Sequence, residues 1–347
     1  MPLKSRRHRL HRGRGARAGH IVLVALLVVG SLGVIAGSGA LTLLGARFDA
    51  QRTVLADAFP AETLRPPVAA GPTSAAQNIL LIGAVPAEVA ASEVPVSADR
   101  FTSMMLVHAP ADRRSLQIMS VLSDTEVALP GETAAPFTEL LSEGGVPAVV
   151  LGVEHLLGVR MDRVAVVNLA GVSTITDLLG GISLFNGLGM MSLGPDRHYF
   201  ALDVLTLNGP QALDYVAGDF AVVDSDYRRA LSQQTYASAV LSAVRTDLVQ
   251  NPLLLTELLD LAADHLAADE GLTAGYLTAL TAQLVRVRGS DTAFFLLPTS
   301  FAPGTVDTPP VRVPHPDKIG SVRSAFQTDV FDPDYWNPTP AQSRIND

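Results

Sequence analysis

The sequence predicts an α/β fold, a mixed β-sheet sandwiched by α-helices and preceded by one N-terminal transmembrane helix. Three observations predict it. Short apolar runs bounded by Gly, Pro and Asp alternate along the chain with longer helical patterns, the signature of strands and helices packed in layers. Residues 21–46 contain no charge and follow a basic N-terminus. With 347 residues, 48% of them hydrophobic, and no cysteine, a large core must form without disulfides, and thiolate chemistry is excluded.

The charge-free run comes first. As a helix it spans roughly 39 Å, more than the roughly 30 Å hydrocarbon core of a bilayer. Lys4, Arg6, Arg7, Arg9, Arg12, Arg14 and Arg17 precede it, with no acid among residues 1–19. That asymmetry places the N-terminus inside and the main domain outside the cytoplasmic membrane. A cleaved signal peptide is the rival reading, since Ala36-Gly-Ser-Gly-Ala40 offers small residues, but Leu41-Thr-Leu-Leu44 carries the apolar run past that site. The expected organisation is a basic cytoplasmic tail (1–19), an anchor (20–46), an Ala/Pro/Thr-rich stalk (47–76), the main domain (77–330) and a loose tail (331–347). The net charge of −9 understates the acidity of the exported part, because seven basic residues sit in the tail and all 34 acids lie beyond the run. Such a surface is a poor match for nucleic acid.

Within the domain, 77–83 is a buried-strand signal ending in Gly, and 104–108 and 116–122 are two more, joined by the turn residues Pro110-Ala-Asp-Arg-Arg as a hairpin. A helix is expected over 146–157 after Gly144-Gly145, a strand over 164–168, a helix over 172–179 closed by Gly180-Gly181, and a strand over 182–185. A long loop over 187–207 leads to a short helix over 209–216 with Pro210 in its first turn. Helices follow at about 226–244, 252–268 and 272–284, then a strand at 293–297; residues 302–316 are Pro-rich.

The order of these segments resembles the LytR-CpsA-Psr (LCP) family over about residues 77–330. The resemblance rests on Asn78-Ile-Leu-Leu-Ile-Gly83, Met105-Leu-Val-His108, Glu154-His-Leu-Leu-Gly158, Leu178-Leu-Gly-Gly-Ile182, Leu207-Asn-Gly-Pro-Gln-Ala-Leu213 and Asp224-Ser-Asp-Tyr-Arg-Arg-Ala-Leu-Ser-Gln-Gln234. It implies an LCP-like sheet and helices, and a protein that moves a glycopolymer from a polyprenyl-pyrophosphate carrier to peptidoglycan or another envelope acceptor. The lipid would lie in an apolar tunnel. Arg and Asp side chains would hold the pyrophosphate and a Mg²⁺ ion, because the diphosphate and its leaving phosphate carry charge that guanidinium and a hard cation offset.

The chain departs from the family pattern at its charged positions. An acid-x-Arg group stands here as Val85-Pro-Ala87, Arg-Ser-Asp-Thr as Arg100-Phe-Thr-Ser103, Pro-Arg-Asp as Leu122-Ser-Asp124, and Arg-x-Arg as Ala217-Gly-Asp219. Asp-x-x-Arg-x-x-Arg-Gln stands as Asp226-Tyr-Arg-Arg229-Ala-Leu-Ser232-Gln233. A charge-assisted Arg–phosphate bond contributes about 1.5–3 kcal/mol, so these replacements weaken pyrophosphate binding by decades. Asp219 adds repulsion.

The candidate residues are therefore Arg100, Asp226 and Arg229 as catalytic groups, Arg100, Arg229 and Gln233 as substrate-binding groups, and Asp224 and Asp226 as Mg²⁺ ligands. Thr102, where an Asp is expected, puts that cofactor in doubt. Arg100 and Arg229 are expected to converge near Asp226 at the mouth of an apolar pocket. Any activity would be that of a glycopolymer phosphotransferase, reduced or lost; the alternative is a non-catalytic polyprenyl-lipid-binding or scaffold module of envelope assembly. The expected partners are a polyprenyl-linked glycopolymer or polyprenyl phosphate and the cytoplasmic membrane. Plainer readings stand beside these. Asp224, Ser225 and Asp226 suit a helix N-terminus, and Asp226 and Arg229 suit an i, i+3 surface pair. Arg228, one residue from Arg229, points about 100° away from it. Arg100 suits a surface charge, Asp124 a turn, His108 a satisfied core histidine, His155 packing, and Met190-Met191 gap filling or a tunnel border.

Overall fold

The computed structural model describes residues 38–84, 101–193, 197–222, 224–251, 253–284, 287, 289–303 and 310–331. In chain order, helix α1 (Ser38–Gln51) leads to strand β1 (Thr53–Val54), then β2 (Gln77–Ala84), β3 (Phe101–Ala109) and β4 (Leu116–Val121). Short strands β5 (Glu126–Val127) and β6 (Ala135–Pro136) precede α2 (Phe137–Leu157), β7 (Arg163–Asn168) and α3 (Gly171–Leu178). Next come β8 (Ile182–Phe185), β9 (Met190–Met191), β10 (Tyr199–Phe200), β11 (Val204–Leu207), α4 (Gly209–Ala217), α5 (Ser225–Gln250) and α6 (Leu254–His265). The chain continues through β12 (Leu266–Ala268), α7 (Ala274–Gln283), β13 (Thr292–Leu296), β14 (Thr299–Ala302), β15 (Val311–Pro314) and α8 (Pro316–Thr328).

The main sheet has the order β1-β12-β7-β2-β3-β4-β13 and is mixed: β2 runs parallel to β7 and antiparallel to β3. Period-two alternation explains the continuous apolar runs. Ile79, Leu81, Val107, Ile118, Ala165 and Val167 face one layer of helices, with Val172 of α3, Tyr215 of α4, Tyr236 and Val240 of α5, and Leu258 of α6. Leu80, Ile82, Leu106, Met119, Val164 and Val166 face the other layer, with Val149, Val153 and Leu157 of α2 and Phe326 of α8. A strand buried on both faces needs no polar positions, so it reads as an unbroken hydrophobic run.

Local chemistry sets the element ends. Gly145 breaks α2 with φ 65° and ψ −159°, a conformation open to glycine, and Pro147 starts the following turns, so the expected helix over 146–157 is the second part of a kinked element. Gly158 closes it in the left-handed region. Asn208 and Gln211 form a reciprocal capping box ahead of α4. His108 is buried as expected: its Nδ1 pairs with Asn78 Oδ1 at 2.7 Å, and Nε2 lies 3.2 Å from Asp329 Oδ1, beside Phe326 and Phe331.

Four expectations need correction. Residues 266–268, read as the end of a helix, form β12 between β1 and β7, because the carbonyls and N–H groups of Leu266–Ala268 meet those of Ala165–Val167. The long loop over 187–207 contains β9, β10 and β11, the last paired antiparallel with β8. The Pro-rich 302–316 segment includes β15, paired with β14, and is followed by α8, which docks on α2.

The fourth concerns residues 47–76, read as a stalk. Phe48 on α1 is 1% exposed in the core, and β1 is an edge strand of the main sheet. Farther on, Arg65 grips Glu154. Helix α2 is long and apolar enough to cross a membrane but is 56% buried inside the domain. Residues 21–37 of the charge-free run and 332–347 of the tail lie outside the described residues.

Candidate functional site

The head of α5 gathers the charges. Asp224 sits at its N-cap with φ 57° and ψ 66°, the left-handed region Asp tolerates, and accepts a hydrogen bond from Tyr227 N at 3.1 Å. Ser225 Oγ accepts from Phe220 N at 3.0 Å, tying the segment after α4 to the helix start. That segment and the first turn of α5 then share Arg229, whose side chain is only 11% exposed. Arg229 Nη1 donates to Asp226 Oδ1 at 2.6 Å, Nε to Gly218 O at 3.3 Å, and Nη2 to Asp219. Asp226 and Arg229 are thus brought together as expected, one turn apart. Asp219 closes the other side of the same guanidinium.

A second guanidinium was not anticipated. Arg312 on β15 is 6% exposed. Its Nε donates to both oxygens of Asp124 at 2.9 Å and its Nη2 to both oxygens of Asp224 at 2.8 Å, with the Phe301 ring 4.6 Å away. Planar, delocalised guanidinium suits both the carboxylate forks and the aromatic face. Asp124, read as a turn residue, therefore bridges to the helix cap through Arg312. Burial pushes the Asp124 carboxyl above the usual range, and the nearby Asp226 and Asp224 charges add to this, against the opposing pull of Arg312. Burial disfavours the Arg312 charge, but Asp224 and Asp124 outweigh it and hold the guanidinium above its ordinary value. The only signal in the sequence was the alternation of Val311-Arg-Val313, set in a Pro-rich stretch.

The remaining candidates divide. Gln233 is buried, and its Nε2 donates to Val216 O at 2.9 Å, a link between α4 and α5. Arg100 and residues 85–87 lie outside the described residues, and so does the side chain of Thr102. Asp224 and Asp226, expected to ligate Mg²⁺, face guanidinium groups, and among the described residues no group of three or more His, Asp or Glu is placed to hold a metal. As arranged, the two acids do not fit that ion.

Ser192, His198 and Asp214 meet nearby, but Asp214 Oδ2 takes both the Ser192 hydroxyl at 2.6 Å and the His198 ring at 2.7 Å. Ser192 is fully buried and bonds to the acid rather than the imidazole, so this is a loop brace and not a nucleophile relay.

A model of the LytR_cpsA_psr family matches residues 52–284, about two thirds of the chain. The chain belongs to the LytR_cpsA_psr family. The match begins just ahead of β1 and ends after α7, so the LytR_cpsA_psr segment includes the whole head of α5 but not Arg312. Over 168 residues, 48% of this chain, it is 29% identical to the cell wall biosynthesis protein LcpA of Corynebacterium glutamicum. Over 143 residues, 41% of this chain, it is 27% identical to the polyisoprenyl-teichoic acid–peptidoglycan teichoic acid transferase TagU of Bacillus cereus. These matches span 31% and 46% of the two relatives. The fold is shared with solved LytR_cpsA_psr structures. Bacillus subtilis TagV aligns with a TM-score of 0.59 at 19% identity, over 74% of this chain and 98% of that one. The LytR-Csp2A-Psr enzyme of Actinomyces oris aligns with a TM-score of 0.59 at 20% identity, over 82% and 98%.

Proposed function

We propose that this chain is a cell-envelope protein that binds a polyprenyl-linked glycopolymer through its diphosphate, at the head of α5, with transfer to an envelope acceptor reduced or lost. The observation that carries this reading is the occupancy of the guanidiniums. Arg229 is shared by Asp219 and Asp226, and Arg312 by Asp124 and Asp224. A diphosphate must displace carboxylates to reach either, so the same groups that mark an anion site weaken it. The names of LcpA and TagU place those relatives in cell wall synthesis, and support the glycopolymer as the substrate class. Arg229 would orient the diphosphate, and Asp219 would repel it. No step in this reading passes through Mg²⁺. A non-catalytic lipid-binding or scaffold role in envelope assembly is the second reading, and the acid-capped arginines favour it equally.

The test is transfer from a polyprenyl-diphosphate-linked donor, with and without Mg²⁺, alongside donor binding. Expected are undetectable or very slow transfer and weak binding, since a diphosphate must displace the carboxylates that hold Arg229 and Arg312. Binding should fall further in Arg229→Ala. Robust turnover that disappears in Arg229→Ala would sink the reduced-activity reading and establish a transferase.

The same proposal puts the part of the charge-free run ahead of α1 in the cytoplasmic membrane with the domain outside. A reporter enzyme fused to the C-terminus should be active only on the exported side; activity in the cytoplasm would refute that placement.

A further inference from the structure

His108 lies fully buried on β3, and both of its ring nitrogens face acceptors. Asn78 Nδ2 donates to Arg160 O at 2.9 Å, which fixes the amide and leaves its Oδ1 turned to His108. That oxygen is 2.7 Å from Nδ1, so Nδ1 carries a proton. The other nitrogen, Nε2, is 3.2 Å from Asp329 Oδ1, in ion-pair range but without the alignment of a hydrogen bond. A neutral ring therefore turns a lone pair toward a carboxylate, whereas an imidazolium turns a charged N–H toward it. Only the second attracts, and burial strengthens the difference.

Asp329 is more than a counter-ion. It ends α8 in the left-handed region, with φ 58°, and its second oxygen accepts from Ala111 N at 2.8 Å. Phe326 and Phe331 close over the His108 ring, with centroids 5.2 and 5.1 Å from it. One buried pair thus ties the last turn of α8, and the chain after it, to β3. Burial disfavours the Asp329 carboxylate, but His108, the Ala111 N–H and Arg113 outweigh it and hold the carboxyl below its usual range. Arg113 lies in the turn between β3 and β4, and its N–H groups go to Ala75 O, Ala109 O, Pro110 O and Gln283 Oε1. From the chain ahead of β7, Asp162 also feels the ring; burial pushes its carboxyl up, against the Asn78 N–H, Arg163, Arg65 and His108. Gln117, the neighbour of His108 on β4, is neutral.

We propose that His108 and Asp329 form a pH-sensitive latch that holds the C-terminal end of α8 against the sheet and releases it when the ring loses its proton. Asp329 sets the acid limit: its depressed carboxyl contributes stability above the unfolded pKa and loses it as pH falls through the folded one. His108 sets the other limit, because the attraction is present while the ring is charged and is lost as pH rises and the proton leaves. Release uncovers Phe326 and Phe331 at the start of the tail. In the placement proposed above, the latch meets the pH outside the cell. It needs no ligand and stands apart from the diphosphate-binding reading.

The full chain in detergent, with labelled histidine, is followed by NMR and by hydrogen exchange from about pH 5.5 to 9, a range that spans the ordinary titration of imidazole. The His108 resonances are identified by their loss in His108→Gln or, if that variant does not fold, by the largest change in Asp329→Asn. As the ring neutralises, protection of the amides of Ala111, Phe326, Gln327 and Thr328, corrected for intrinsic exchange, should fall about 10- to 100-fold, the loss of one charge-assisted contact. Amides of β2 and β7 should keep theirs. Asn suits the left-handed position and still accepts from Ala111 N, so Asp329→Asn should fold and should flatten the fall. A ring that keeps one protonation state throughout, or protection that is unchanged while the ring titrates, overturns the latch. So does a fall that persists undiminished in Asp329→Asn, which would assign it to Asp162 or another group.

Discussion

Arg312→Met is expected to destabilise the domain by about 2–3 kcal/mol. Breaking a buried ion pair by removing one partner costs about 3–5 kcal/mol, and the value here is set lower because the acids are partly wet. The Arg312 side chain is 5% exposed, whereas those of Asp124 and Asp224 are 39% and 27% exposed. Methionine fills the volume and keeps the contact with Phe301, so the loss reports the charge network. Asp124, already disfavoured as an anion, is then left with Asp224 and Asp226 nearby and no counter-charge. Arg312→Lys should recover only a minor part, because an ammonium cannot bind two carboxylates through a planar fork. The triple variant Arg312→Met, Asp124→Asn, Asp224→Asn should be more stable than Arg312→Met alone, since no unpaired charge remains. Urea unfolding midpoints decide it: a triple variant less stable than the single one would show that the network is not held by charge. A protein ended at residue 284, where the family match stops, would lose this network together with β13 of the main sheet and the core side chains of α8, and should be destabilised more.

The second large effect is expected at Glu154. It is fully buried, and three groups converge on it: Arg65 Nε at 3.0 and 3.1 Å to its two oxygens, Arg65 Nη2 at 2.5 Å, and Met161 N at 2.8 Å. Arg65 also donates to Met161 O and stacks over Phe59 at 4.8 Å. Glu154→Ala leaves a guanidinium and an N–H without their acceptor, at a cost of about 3–5 kcal/mol. Glu154→Gln keeps an acceptor for one of them and should cost less. Because Arg65 is one anchor of the segment between β1 and β2, beside the bonds of Arg160 to Glu62 and Pro66, Glu154→Ala should also make residues 55–76 more sensitive to limited proteolysis. Equal protease resistance in Glu154→Ala and the parent would show that the segment is held by other contacts.

The same residue shows what was legible beforehand. Glu154-His-Leu-Leu-Gly158 marked the resemblance, and its parts prove structural: Glu154 for the ion pair, Gly158 for the left-handed helix end. Strands β2, β3, β4 and β7 were readable because both of their faces are buried. Strand β12 was not, since Leu266-Ala-Ala268 continues the composition of the helix before it and only its sheet partners make it a strand. The pairing of Asp226 with Arg229 followed from their spacing. Arg312 did not, because its partners Asp124 and Asp224 lie 188 and 88 residues away.

Helix α1 bears on how far the protein can search. It continues the charge-free run into the domain, where Phe48 is buried and Gly45 leaves only 3.1 Å between a would-be Cβ and Ala274 on α7. A flexible leash over residues 47–76 would let the domain wander roughly 30 Å from its attachment point. The docked helix removes that slack. Were the run ahead of α1 to lie in the bilayer, as proposed, the domain would follow it directly rather than at the end of such a leash, and a lipid-linked ligand would have to reach it by lateral diffusion.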